Sequence, residues 1–266
     1  MKKKNVLIVI LTTLIFLSGV LLGVANVYRI NAVCVSAPLI SDEAKAEVDE
    51  LQTRLQAAYH NESIFFAEEA IAEEIVADFP YFRITEFKKS YPNRIVVEVS
   101  EDAEVYAVAC GGETDGYYIL NAEGTVLGIR EDYKNRVDSN DNLLITGITA
   151  TGEKGKPLAG DDILSVLFST CGEMSNALSG IRRNVVGIEV FRPTSDASET
   201  TLIFSMREGV KLYIFNPAAQ TAEKARKAID EYLGLSSEKR LTGMVVVSDG
   251  VNGLVAQYFQ DEWQIS

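Results

Sequence analysis

The sequence predicts an α+β protein: an N-terminal transmembrane helix, a small strand–helix–helix–strand–strand unit, then a mostly antiparallel β-rich unit with two helices. Three observations predict this. One apolar run opens the chain. Two helical periodicities then lie between strand-like segments. Beyond residue 103, short alternating segments separated by turn residues dominate, interrupted by only two further helical stretches.

The apolar run covers residues 6–27 and follows three lysines, Lys2, Lys3 and Lys4. Its 22 residues span about 33 Å as a helix, enough for a hydrocarbon layer of roughly 30 Å. Thr12, Thr13 and Ser18 are its only polar side chains before Asn26, and a helix bonds such hydroxyls internally. Lysines before the run, with only Arg29 close after it, place residues 1–5 in the cytoplasm as a tail and export the rest. The competing reading is a cleaved secretory signal, with Gly23-Val24-Ala25 as the small-residue site and a mature chain starting near Asn26.

With 266 residues, the chain has room for one large domain or two small ones. Acidic side chains outnumber basic ones, 38 to 25, for a net charge of −13. A nucleic-acid binder needs a basic face, so that class is disfavoured. Cys34, Cys110 and Cys171 are odd in number and far apart, which implies no disulfide framework. A Cys110–Cys171 bridge stays open beside free thiols packed as small hydrophobes. A single histidine, His60, is too few for a usual zinc site, and no metal or cofactor is expected.

Along the exported chain, residues 30–35 alternate as a strand. Ser41-Asp42 opens a helix whose Ala44, Val48, Leu51, Leu55 and Ala58 share a face, expected to pack on the neighbouring sheet, with a partner surface as the alternative. Asn61-Glu62-Ser63 ends it. A second helix covers 67–78, with Ala67, Ala70, Ile71, Ile75 and Phe79 on one face, Glu74 at its rim and Pro80 as its stop. Residues 81–89 and 94–100 flank the turn Tyr91-Pro92-Asn93, and Ile95, Val97 and Val99 mark a half-buried strand.

Further strands are expected at 105–110, 117–120 and 125–129, the last two joined through Asn121-Ala122-Glu123-Gly124. Residues 130–142 read as an exposed polar loop, 143–145 as a brief strand and 152–160 as a linker. Asp161 is expected to cap a helix with Ile163, Val166, Leu167, Thr170, Met174, Ala177 and Leu178 inward. Strands follow at 185–191, 200–206 and 210–215. A last helix runs from Thr221 to Leu233 with Gly234 as its C-cap. A closing hairpin then pairs 243–248 with 251–259 around Asp249-Gly250.

No catalytic pattern stands out. Glu68-Glu69 and Asp161-Asp162 sit where helix starts favour acidic groups. The serines have no paired histidine, and Gly111-Gly112 and Gly152 with Gly155 lack the lysine–serine pair of a phosphate loop.

Several strings, in order, resemble the FtsQ/DivIB family of bacterial cell-division proteins. Ser63-Ile64-Phe65-Phe66, the helix after it and Phe79-Pro80-Tyr81-Phe82 look like the middle of that family's POTRA domain. The stretch 91–99 looks like its closing hairpin, and 117–127 like the first hairpin of the β-domain. Lys224 and the final strand pair also fit. The chain departs at Glu101-Asp102-Ala103-Glu104, where the family commonly has Glu-Arg-x-Pro, and at Ser36-Ala37-Pro38, which lacks a common glycine.

The resemblance implies residues 28–102 as a POTRA domain, 103–260 as the β-domain and 261–266 as a tail. It implies a non-enzymatic scaffold at the division septum that binds FtsB/DivIC- and FtsL-like proteins by β-strand addition and helps regulate septal peptidoglycan synthesis. The matching segment is Gly253, Leu254, Val255, Ala256, Gln257, Tyr258 and Phe259, with Tyr258, Phe259 and Trp263 as aromatic anchors. The bilayer is the other partner, through 6–27; neither nucleic acid nor a small-molecule substrate is expected. Two alternatives remain: a membrane-tethered POTRA-like adaptor of sporulation or export, and a secreted cell-wall enzyme with a cleaved signal.

Overall fold

Helix α1, Lys2–Val27, opens the chain, and its stretch Ile10–Val27 is long and apolar enough to cross a membrane. No part of that stretch is buried in the fold. Ser18 Oγ donates to Leu14 O at 2.7 Å, so the helix satisfies this hydroxyl itself. The computed structural model describes residues 2–38, 40–111, 115–193 and 199–260, with side chains from residue 10 onward. The chain divides into two compact units, Met1–Asp102 and Ala103–Ser266. Overall it is α+β, with the one apolar N-terminal helix and one large, mostly antiparallel sheet.

In the first unit β1 (Ala32–Ser36), α2 (Asp42–Tyr59), α3 (Ala67–Asp78), β2 (Phe82–Ser90) and β3 (Arg94–Glu101) follow in order. The sheet runs β1-β3-β2, with β1 parallel and β2 antiparallel to β3. Ser41 caps α2 by accepting from Ala44 N, and its own N and Oγ donate to the Glu101 carboxylate at 2.7 and 2.9 Å. That fixes the helix start against the end of β3. Ala44, Leu51 and Leu55 of α2, with Ile71 and Ile75 of α3, close over Val33, Ile95, Val97 and Val99.

The free edge of β1 is covered by side chains. Gln56 donates to Asn31 O (3.1 Å) and accepts from Val33 N (2.8 Å); Gln52 donates to Val33 O and accepts from Val35 N (2.5 Å). Two residues of parallel strand advance about 6.6 Å and four residues of helix about 6 Å, so carboxamides at i and i+4 match the strand's repeat. Each glutamine mimics one rung of a missing partner strand.

The second unit contains β4 (Tyr106–Ala109), β5 (Tyr117–Leu120), β6 (Val126–Arg130), β7 (Leu143–Thr146), α4 (Leu164–Ala177), α5 (Ile181–Asn184), β8 (Val185–Phe191), β9 (Thr201–Met206), β10 (Lys211–Phe215), α6 (Thr221–Gly234), α7 (Ser237–Arg240), β11 (Met244–Gly250) and β12 (Gly253–Phe259). One nine-stranded sheet runs β12-β11-β10-β9-β8-β7-β4-β5-β6. The parallel pairs are β10/β11, β7/β8 and β4/β7. Parallel neighbours need a crossover; α4 supplies it from β7 to β8 and α6 from β10 to β11. Both helices cover one face, where Leu167, Cys171, Met174, Ala225 and Ile229 meet Tyr106, Phe204, Leu212 and Val245. All three cysteines are free thiols, and burial pushes Cys171 up to about 12.

Several expectations need correction. Of residues 130–142, Arg130 ends β6 and the rest are irregular but not simply exposed: Asn135 and Asn142 are buried. They fold onto Glu104, whose carboxylate is 1% exposed and accepts from Arg130 Nη2 at 2.8 Å, Arg136 N at 3.0 Å and Asn142 Nδ2 at 3.1 Å. A buried carboxylate needs such partners, and the loop folds back to supply them. Residues 152–160 are no linker. Thr151 bridges Ala159, Thr125 bridges Pro157, Leu158 is buried, and Gly152 lies too close to Tyr118 and Val126 for a side chain.

Helix α4 starts at Leu164, with Asp161 Oδ1 accepting from Ile163 N one turn earlier. Asp161 is drawn aside by Arg192, whose Nη1 and Nη2 lie 2.9 and 2.5 Å from its two oxygens. The inner face of α4 also takes Leu164 and Cys171, while Ala177 is exposed. Gly234 lies inside α6, and Leu235 is the C-cap.

Candidate partner-binding edge

The closing hairpin turns at Val251-Asn252, two residues later than the sequence suggests. Asp249 pairs with Leu254 and Gly250 with Gly253, so the expected turn residues Asp249-Gly250 belong to β11. Asp249 is also held from α6. Lys224 is fully buried, and its Nζ donates to Asp249 Oδ2 (2.8 Å), Phe215 O (3.0 Å) and Asn216 O (2.8 Å). This ammonium fixes Asp249 in the strand and joins the hairpin to the end of β10. At the turn, Gly253 has φ +117°, a left-handed value that favours glycine.

All seven predicted site residues, Gly253 to Phe259, lie on β12, and β12 ends the nine-stranded sheet. Among the described residues no strand pairs with its outer side. The residues flanking a two-residue turn form a hydrogen-bonded pair, and bonded and non-bonded pairs alternate from there. The N–H and C=O groups of Leu254, Ala256 and Tyr258 therefore point away from β11. Trp263, the third expected aromatic anchor, and the tail 261–266 lie outside the described residues.

Side chains of β12 alternate between two surroundings. Ala256 and Tyr258 pack on the helix-covered core. Tyr258 is engaged there: its hydroxyl donates to Thr242 O at 3.2 Å, and Lys239 Nζ lies 5.3 Å from its ring centre. Val255, Gln257 and Phe259 face the opposite side. With Phe215, Val246 and Ser248 they line a groove of about 270 Å³. Beside it, Ile203, Tyr213 and Met244 are buried with Phe191, Phe215, Val246 and Phe259, and every member of this cluster comes from a strand. Sequence reasoning missed Phe215 and Val246. Their signal was present: 212–215 and 244–247 are apolar at both parities, which a strand with one solvated face does not need.

A second concavity, of about 760 Å³, is lined by Asp138, Asp141, Arg182, Arg183 and Arg207. Three of these side chains bind one another or backbone: Arg182 pairs with Asp138 at 3.2 Å, and Arg207 donates to the carbonyls of Arg182 and Arg183, both at 3.1 Å. Among the described residues no three His, Cys, Asp or Glu side chains gather as a metal site. An edge strand beside an apolar groove has the backbone groups and the space to accept an added strand and its side chains. No known protein family matches the chain, and no curated protein is significantly similar to it.

Proposed function

We propose that this chain is a bitopic scaffold of the FtsQ/DivIB kind. In this reading the N-terminus is cytoplasmic, α1 spans the membrane, the first unit is a POTRA domain and the second is the β-domain. The protein acts at the division septum by binding FtsB/DivIC- and FtsL-like proteins, regulates septal peptidoglycan synthesis through them, and does no chemistry of its own. The observation that carries the reading is β12: a seven-residue strand at the end of the sheet with its outer backbone groups directed outward and an apolar groove beside it. The strand–helix–helix–strand–strand order and the β1-β3-β2 sheet support the POTRA assignment. The lysines before α1 support the orientation.

The test uses the full chain in lipid nanodiscs and the extracytoplasmic segment of the same organism's FtsB/DivIC-like protein. Ala256→Pro deletes one outward N–H and leaves the pairing with β11 in place. Saturable binding, weakened about tenfold or more by that substitution with the fold retained, is the expected result. Binding indifferent to Ala256→Pro moves the site elsewhere, and no binding by the folded chain removes the divisome assignment. Depletion in cells separates the adaptor alternative, since a division scaffold leaves undivided filaments.

A further inference from the structure

The chain leaving α1 is tied at once into the first unit. Tyr28 follows the last helical residue, and its N–H still donates to Val24 O. Ile30 N donates to Glu62 O and Asn61 N to Ile30 O, both at 2.8 Å, while Ile64 N donates to Tyr28 O at 3.1 Å. Arg29 and Ser63 form an antiparallel bridge. On the other side, Asn31 N donates to Asn93 O at 2.8 Å. Two loops, 61–66 and 91–93, are thus held at the end of the apolar helix.

Both loops present aromatic rings. Tyr28, Phe65 and Tyr91 form a mutual cluster with ring centres 5.2, 5.9 and 6.1 Å apart. Phe65 is 48%, Tyr91 58% and Phe66 83% exposed. Ile64, between Ser63 and Phe65, is fully buried, so the loop is fixed rather than loosely displayed. Arg29 follows Tyr28 in the chain and Arg94 comes three residues after Tyr91, and both are exposed. The far end of the unit is different: α2 starts there with Asp42 and Glu43, and its 18 residues extend about 27 Å from that start to Tyr59.

We propose that this end of the first unit is a lipid-contact foot. Phe65, Phe66 and Tyr91 enter the headgroup and upper acyl region of the bilayer that α1 crosses, and Arg29 and Arg94 meet lipid phosphates. The inference rests on reading α1 as a membrane span. Tyr28 lies within one helical turn of the hydrocarbon boundary, and its ring partners lie at the same level. Aromatic rings favour that depth because it solvates both their apolar body and polar rim, and arginines reach phosphates from it. Exposed phenylalanines elsewhere on a soluble surface gain nothing comparable. The foot fixes the height of the unit above the membrane, a constraint that the single connection after α1 does not impose alone.

The test uses the full chain in vesicles of phosphatidylcholine and phosphatidylglycerol, with the phosphatidylcholine brominated along its acyl chains. Trp263→Phe removes the one native tryptophan. Phe66→Trp then reports from the foot and Lys45→Trp from the far end of α2. Retention on the vesicles through an alkaline wash tests the span itself. The expected result is a retained chain with Phe66→Trp blue-shifted and quenched about twofold or more, and Lys45→Trp unquenched. A retained chain with both tryptophans unquenched overturns the foot and leaves the span standing. A retained chain with a blue shift but no quenching puts the ring against protein, and also overturns it. A chain washed off the vesicles overturns the span reading, and the foot with it.

Discussion

Among the four end strands of the two sheets, β1 and β12 meet the same physical problem in opposite ways. In the first unit, the free side of β1 has its backbone groups taken by Gln52 and Gln56, which bind Asn31 O, Val33 N, Val33 O and Val35 N. In the second unit, nothing described pairs with the free side of β12. An exposed edge invites another strand, and proteins usually block it. The blocking at β1 uses α2, which the unit needs in any case to cover its core. The second unit has helices α4 and α6, yet both lie on a face and neither covers the edge. The difference is one of closure: β1 is blocked from within its own unit, and among the described residues β12 is left open to a further strand.

The comparison breaks most sharply at Lys224. Lys224→Met keeps the volume and removes the charge, so Asp249 and the carbonyls of Phe215 and Asn216 each lose the bond from Nζ, while Asn216 O keeps the one from Ala219 N. The expected loss is about 3 kcal/mol of stability in the second unit. Urea denaturation reads the total. Hydrogen exchange should place the loosening in residues 244–259, with 32–36 unchanged. Equal acceleration in both segments would mean that the open edge is not held by this lysine.

A smaller effect is expected from opening the blocked edge. Gln52→Ala with Gln56→Ala removes four hydrogen bonds, three part-buried and one exposed, and water replaces some of them. The cost is about 2 kcal/mol for the pair. The amides of Val33 and Val35 should lose exchange protection, while Val97, covered from the other side, keeps its own. The double variant should also gain concentration-dependent self-association, which light scattering detects. If it stays monodisperse, blocking is not what the glutamines do.

These residues also mark the limit of what the sequence discloses. Helices α2 and α3 and the hairpins around 91–93 and 121–124 were legible because each depends on local spacing and local stops: Ser41 as a cap, Pro80 as a terminator, alternation through 95–99. The apolar helix was legible from length alone. The roles of Gln52 and Gln56 depend on a strand some twenty residues earlier and on the near match of two repeats, which no periodicity within α2 announces. The Asp249-Gly250 turn was misread although Asn252 and the left-handed Gly253 mark the turn locally, and the contact of Lys224 with Asp249, 25 residues away, is one that no local pattern announces. Glu104 likewise looks like one acid among many until its loop closes over it. The candidate strand was legible as a segment, but its position at the edge follows from the order of nine strands, which long-range pairing decides.

The smallest expected effect on stability sharpens the contrast most. Val255 is 47% exposed on the groove face of β12. Val255→Lys should change the unfolding free energy by no more than about 0.5 kcal/mol, as surface substitutions do. It places a flexible cation over Phe215 and Phe259, and lysine on an edge strand is the usual way to block one. Binding of an added strand should therefore fall while the fold is untouched, giving β12 the closed character of β1. Because Val255→Lys acts through the groove and Ala256→Pro through the backbone, the two separate the site's components. If both weaken a partner segment, the strand adds with its side chains seated on the groove face. If only Ala256→Pro does, the backbone edge recognises the partner and the groove is incidental. If only Val255→Lys does, the partner lies across the face of the sheet and β12 is not extended at all.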